Sequence, residues 1–451
     1  MEIEKIKIKE REIEMDLGII SSKLWLNIGV ILLVFIGAIL RIYSLTHKVY
    51  YMTLLILCFY LVVMIINFYK HKIINKYFLL IFLPTLLFLV ISSLIHHTLN
   101  IFVKFYIVEY LIVSYIYLSI LKYGKLYVSL LSKCMTYMLN IFSIFNIYQV
   151  VFHKPMLYDF LTSEIQTLQY QVSTSFYRTS SVFGHAIVAG LFFVILFLHN
   201  FFTLKNKIFK YILQGIVLIN LYSTMSRSAW LAFLVVIFIL ILINFKKINL
   251  IAFASFSNLS YRQILYTYLG VIIIAIGVLF IAQNYNSLLE SIINRFGDSL
   301  SDNSTDLSNL QRTGTITAIF KFMSDVGMKN LIFGNGLGTV ANFMLSHQIV
   351  IPDFLTTDNQ YLTWYYEFGI CGIFLVSLFF FMLIHHLIKF FMNKSYDWTQ
   401  VLSVSCLIVL CIGMFFFEGI QWETVGVFLA INLGCILPVT NQNNINTGGK
   451  L

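Results

Sequence analysis

Four arginines and three proton-holding side chains stand out in a chain that is otherwise only 11% charged. Arg178 lies in QVSTSFYRTSSVFGH, Arg227 in STMSRSAW, Arg295 in NSLLESIINRF and Arg312 in LQRTGT. A guanidinium keeps its charge at any working pH and offers a planar fork that matches two phosphate oxygens at once. Four of them on one side of a membrane point to an anion site, and a lipid-linked diphosphate is the anion found at that depth. The competing reading is ordinary surface arginines whose stems lie along apolar surface. His185 follows Arg178 by seven residues, where it is either a polar cap or a catalytic group. Asp358 and Glu367 belong to DNQYLTWYYEFGICG, at the mouth of an apolar run.

The rest of the chain is built to hold such groups at a membrane. Hydrophobic residues make up 59% of it and mean hydropathy is +0.86, where soluble domains carry about 25% charged residues. We therefore expect an all-α polytopic membrane protein. At about 20 apolar residues per crossing, twelve transmembrane helices are predicted, at 24–41, 50–69, 77–95, 101–121, 126–151, 182–203, 210–224, 228–245, 264–283, 365–388, 400–417 and 421–438. They divide the chain into a cytoplasmic N-terminal segment (1–23), helices one to nine (24–283), a large extracytoplasmic loop (284–358), helices ten to twelve (359–438) and a cytoplasmic tail (439–451). The acidic start MEIEKIKIKEREIEMD is not a signal peptide. Of the 30 Lys and Arg residues, 19 fall in segments that are inside if the N-terminus is cytoplasmic. Only five fall in the short outside segments (Arg41, Lys48, Lys154, Arg178 and Arg227), and four in the long loop (Arg295, Arg312, Lys321 and Lys329). This bias places both termini in the cytoplasm and accounts for most of the net charge of +10 without a nucleic-acid partner.

The loop of about 75 residues between helices nine and ten is too long for a simple connection. NSLLESIINRF puts Leu288, Leu289, Ile292, Ile293 and Phe296 on one helical face, the pattern of a short helix lying in the membrane interface. FGNGLG (333–338) has the glycines of a nucleotide fingerprint, but no strand precedes it, so a turn opening a short helix is expected. The six cysteines all lie inside apolar runs and read as small core residues. No HExxH occurs, and His96-His97 and His385-His386 lack ligand spacing, so neither a metal nor a cofactor is expected. Within predicted spans, Lys104 is expected to reach the interface, and Glu109 and Lys133 to pair.

Three motifs together resemble the O-antigen ligase and polysaccharide polymerase superfamily: SVFGHAIVAG (181–190) after an arginine, STMSRSAWLAFL (223–234), and Asp358-Asn359 followed after nine residues by GICG (369–372). The ligases carry a histidine where Asp358 stands, which favours the polymerase branch. The resemblance implies a metal-independent glycosyltransferase of the plasma membrane. It would join undecaprenyl-diphosphate-linked repeat units into capsule, exopolysaccharide, O-antigen or teichuronic-type polymer, with flippase and chain-length-regulator proteins as further partners. In that chemistry Arg178, Arg227, Arg295 and Arg312 neutralise the departing diphosphate. A carboxylate takes the proton of the attacking hydroxyl, with Asp358 the first candidate and Glu367 the second. Asp358 also suits a helix N-cap, and Glu367 a hydrogen-bonded structural role. The alternatives are a ligase-type transferase to another acceptor, and a lipid-linked glycan flippase or transporter.

Overall fold

The computed structural model describes residues 22–43, 46, 48–69, 76–102, 106–154, 158–162, 177–245, 307–392 and 397–436. Among them every regular element is a helix, and one isolated antiparallel bridge joins Tyr43 to Leu161. Long apolar runs leave little choice, because a backbone surrounded by lipid must satisfy its own N–H and C=O groups. The helices are α1 (Ser22–Leu40), α2 (Val49–Tyr69), α3 (Lys76–Ile95), the single turn α4 (Leu99–Phe102), α5 (Val108–Tyr123), α6 (Lys125–Phe152), α7 (Ala186–Thr203), α8 (Lys207–Ser223) and α9 (Arg227–Phe245). Then come α10 (Leu307–Asp325), α11 (Met328–Phe333), α12 (Val340–Ser346), α13 (Gln360–Met392), α14 (Trp398–Met414) and α15 (Glu423–Ile436). By length and composition α1, α2, α6, α7 and α13 are able to cross a membrane, and parts of α3, α9, α14 and α15 form shorter apolar helices. The chain is thus a helical membrane protein. The predicted span at 264–283 and the predicted interfacial helix with Arg295 lie outside the described residues, as do residues 1–21, the C-terminal tail and Lys104.

Polar contacts sort the helix ends into two groups. At one end Asn27 of α1 donates to the Tyr123 hydroxyl at 3.1 Å, and Lys125 at the start of α6 pairs with Asp397, the N-cap of α14, at 3.3 Å. At the other, Arg41 after α1 pairs with Glu423 at the start of α15. There also Gln149 near the end of α6 accepts from the Ser181 amide at 2.8 Å, and the Thr179 amide donates to Ser223 at the end of α8 at 3.1 Å. This second end carries the candidate site.

Small residues let the helices approach closely. A Cβ on Gly190 of α7 would lie 2.7 Å from the Ala229 Cβ of α9, and one on Gly434 of α15 would lie 2.8 Å from the Ile116 Cβ of α5. All six cysteines are free thiols within helices. One expectation is corrected: among the described residues Glu109 forms no ion pair with Lys133. The Glu109 carboxyl instead faces α15, where a Cβ on Gly426 would fall 2.4 Å from it.

A ladder of buried amides and hydroxyls locks α6 to α7 and α8. The Thr136 hydroxyl meets His199 Nδ1 at 3.1 Å, Asn140 and Asn200 exchange hydrogen bonds of 2.6 and 3.1 Å, and Asn146 donates to Asn220 at 3.0 Å. Each buried partner left alone costs its desolvation. We predict that Asn200→Leu lowers unfolding stability in detergent by about 1–3 kcal/mol, and that adding Asn140→Leu recovers part of the loss, because no orphaned amide then remains.

Candidate active site

The first turns of α13 are held by two separate devices. The lower one is a kink at Gly369, whose backbone leaves the helix with φ +60° and ψ −148°. The kink frees main-chain carbonyls, and the GNGLG turn uses them: Asn335 N–H donates to Tyr366 O at 3.0 Å and Gly336 N–H to Glu367 O at 3.1 Å. Contact this close excludes side chains. A Cβ on Gly369 would lie 2.4 Å from Leu331 O, and one on Gly334 would lie 2.1 Å from Glu367 O. Both glycines also have positive φ, which L side chains rarely adopt. The turn opens α12, as expected from the sequence. The Glu367 side chain, 3% exposed, accepts from Gly338 N–H at 2.7 Å. The second candidate base is therefore engaged as the clamp on this turn. Around it Ile319 and Met323 of α10 pack with Val340, Phe343, Leu362 and Tyr366 in a small core of their own, which fixes α10 and α12 against α13.

The upper device holds Asp358. It is not the N-cap of α13: Asn359 is, its Oδ1 accepting from Tyr361 and Leu362 N–H at 3.0 and 3.1 Å. Asp358 sits one residue earlier in the left-handed region, φ +54°, with its side chain free of the helix. Its Oδ2 accepts from Arg312 of α10 at 3.3 Å, and the same guanidinium nitrogen reaches Phe416 O at 3.4 Å. Arg312 Nε is buried without a partner. Burial raises the Asp358 pKa above the ordinary carboxylate value, and the Arg312 charge and hydrogen bond offset part of that rise.

Phe416 belongs to the short connection between α14 and α15, and this connection gathers the site. The Glu418 carboxylate accepts from Thr357 N–H at 2.5 Å, Thr357 Oγ1 at 2.8 Å and Thr363 Oγ1 at 2.7 Å. Ile420 N–H donates to the Gln360 side chain at 3.0 Å. The Phe417 ring stacks on His185 with centroids 5.0 Å apart. Glu418 was missed in the sequence because FFFEGIQWETVG reads as two apolar runs meeting. Its one signal was a pair of carboxylates, Glu418 and Glu423, in a very short connection.

His185 caps α7, its Nδ1 accepting from Ile187 N–H at 3.2 Å. That bond leaves the ring proton on Nε2. Burial, assisted by the nearby Arg178 cation, pushes its pKa down to about 3, so the ring is neutral. Arg178 Nε donates to Thr224 O at 2.9 Å, which ties it to the tight turn Thr224–Ser226 that precedes Arg227 at the start of α9. Met225 in that turn has φ +48°. His185 and Arg312 thus contact one connection at one end of the bundle, Asp358 pairs with Arg312, Arg178 lies near His185, and Arg227 begins α9. Glu367 lies at the kink, and Arg295 is outside the described residues.

Residues 212–377 match the family model described as O-antigen ligase. The match supports the O-antigen ligase and polymerase superfamily for this chain. The O-antigen ligase-type segment runs from α8 to just beyond the kink and includes Arg227, Arg312, Asp358 and Glu367. It stops short of Arg178 and His185 on one side and the Phe416–Glu418 connection on the other. No curated protein matches the chain.

The geometry of Glu367 yields a test of clamp against base. An amide oxygen still accepts from Gly338, so Glu367→Gln is expected to keep folding and activity within about threefold, whereas Glu367→Ala exposes the turn and costs about 1–3 kcal/mol. Thermal unfolding and transfer assays on the two variants distinguish the roles. A Gln variant that is folded but inactive makes Glu367 a catalytic acid or base.

Proposed function

We propose that this chain is a polysaccharide polymerase that joins undecaprenyl-diphosphate-linked repeat units at the outer face of the plasma membrane. An acceptor sugar hydroxyl bonds to the donor's anomeric carbon as the bond from that carbon to the diphosphate oxygen breaks. Asp358 takes the hydroxyl proton, and the leaving diphosphate keeps the electron pair. Arg312, with Arg178 and Arg227, meets the charge that develops on it. Neutral His185 offers Nε2–H as a further donor. Both termini are assigned to the cytoplasm, flippase and chain-length-regulator proteins are the expected partners, and the product is a capsule, exopolysaccharide, O-antigen or teichuronic-type polymer.

The observation that carries the reading is the Arg312–Asp358 pair, 3.3 Å apart and mostly buried, with an unpartnered Arg312 Nε beside it. A cation beside a carboxylate is the pair of groups that a departing diphosphate and an attacking hydroxyl would need. The O-antigen ligase description of residues 212–377 favours a second reading, transfer of the same donor to another acceptor, which changes the acceptor and leaves the chemistry intact.

Asp358→Asn is the test. Asn tolerates the left-handed backbone, the cap is on Asn359, and an amide cannot take the proton. We expect a folded protein whose turnover falls by about 10²- to 10⁴-fold. In the wild type, activity is expected to fall as pH drops through the Asp358 pKa, at a higher pH than for a free carboxylate near 3.9, because the base must be ionised and burial raises its pKa. Normal turnover in Asp358→Asn overturns the assignment.

A further inference from the structure

We propose that Glu418 is a positioning residue for Asp358, an inference that rests on the reading of Asp358 as the base. Asp358 is one of six described non-glycine residues with positive φ, a conformation that L side chains adopt when their surroundings impose it. The restraint comes from the next residue on either side. Asn359 is anchored as the cap of α13, and its N–H donates to Thr357 Oγ1 at 3.1 Å. Thr357 in turn gives both its N–H and its hydroxyl to Glu418, and Thr363, one turn into α13, gives its hydroxyl to the same oxygen.

One carboxylate oxygen therefore spans the chain on both sides of Asp358. Thr357, Thr363 and Glu418 are each 3% exposed or less, so water does not compete for these bonds. Two residues before Glu418, Phe416 O accepts from Arg312. The connection that fixes the backbone of the base therefore also orients the cation paired with it. Glu418 itself is buried behind Thr357 and acts on Asp358 through that segment and through the repulsion between the two carboxyl groups.

A positioning role predicts a specific pattern among variants. Glu418→Ala removes all three acceptor contacts and is expected to lower kcat by about 10- to 100-fold, the scale of a displaced catalytic group, with KM for the lipid-linked donor changed less than threefold. Glu418→Gln keeps an acceptor oxygen and is expected to recover most of that loss. In a double-mutant cycle, Glu418→Ala should add little to Asp358→Asn, because residues acting as a unit are non-additive. A conformational readout is independent of activity: a cysteine placed at Thr356 should react faster with a membrane-impermeant maleimide in the Ala variant than in the Gln variant, measured against the native cysteines alone. Full additivity, equal loss in Gln and Ala, or unchanged kcat and labelling in Glu418→Ala overturns the proposal. An active Asp358→Asn with accelerated labelling in Glu418→Ala strikes the base assignment, and the positioning of the segment then stands without it.

Discussion

A buried polar group without a partner costs several kcal/mol in an apolar medium, and this constraint governs the end of the bundle where the candidate site lies. The backbone and hydroxyl donors between Thr357 and Thr363 need acceptors there. The Glu418 carboxylate accepts from three of them, the Asn359 side chain from Tyr361 and Leu362 N–H, and Thr357 Oγ1 from Asn359 N–H. Once these bonds are made, the start of α13 has one position relative to the α14–α15 connection, and Asp358 has one backbone conformation. The kink at Gly369 works by the same rule in reverse. It breaks helical hydrogen bonds, and the GNGLG turn replaces them from α11's side.

Carbonyls help to hold the cations of the site: Arg312, paired with Asp358, also donates to Phe416 O, and Arg178 donates to Thr224 O. A neutral carbonyl orients a guanidinium without cancelling its charge. His185 fits the same scheme: stacked on Phe417 and held neutral, it adds a donor without adding charge.

Much of this was legible in the sequence, and the parts that were not have physical reasons. Apolar runs of about 20 residues dictated helices, and the short glycine-rich stretch before an apolar patch read correctly as a turn opening α12. Asp358 read as a candidate for both cap and base, but the structure puts the cap on Asn359 and leaves the Asp358 side chain off the helix. Periodicity does not distinguish two adjacent residues that both favour caps. Glu418 was hidden because its partners lie about 55 to 60 positions earlier in the chain, and its meaning depends on that pairing. The expected Glu109–Lys133 pair failed for a related reason: the Glu109 carboxyl faces α15, more than 300 positions later in the chain, at Gly426.

The most direct measurement uses purified protein in vesicles, a defined undecaprenyl-diphosphate-linked repeat unit as both donor and acceptor, and simultaneous detection of free undecaprenyl diphosphate and glycan length. The account predicts one undecaprenyl diphosphate released for each repeat added to another lipid-linked chain. Movement of the intact donor across the bilayer with no release of undecaprenyl diphosphate would contradict it.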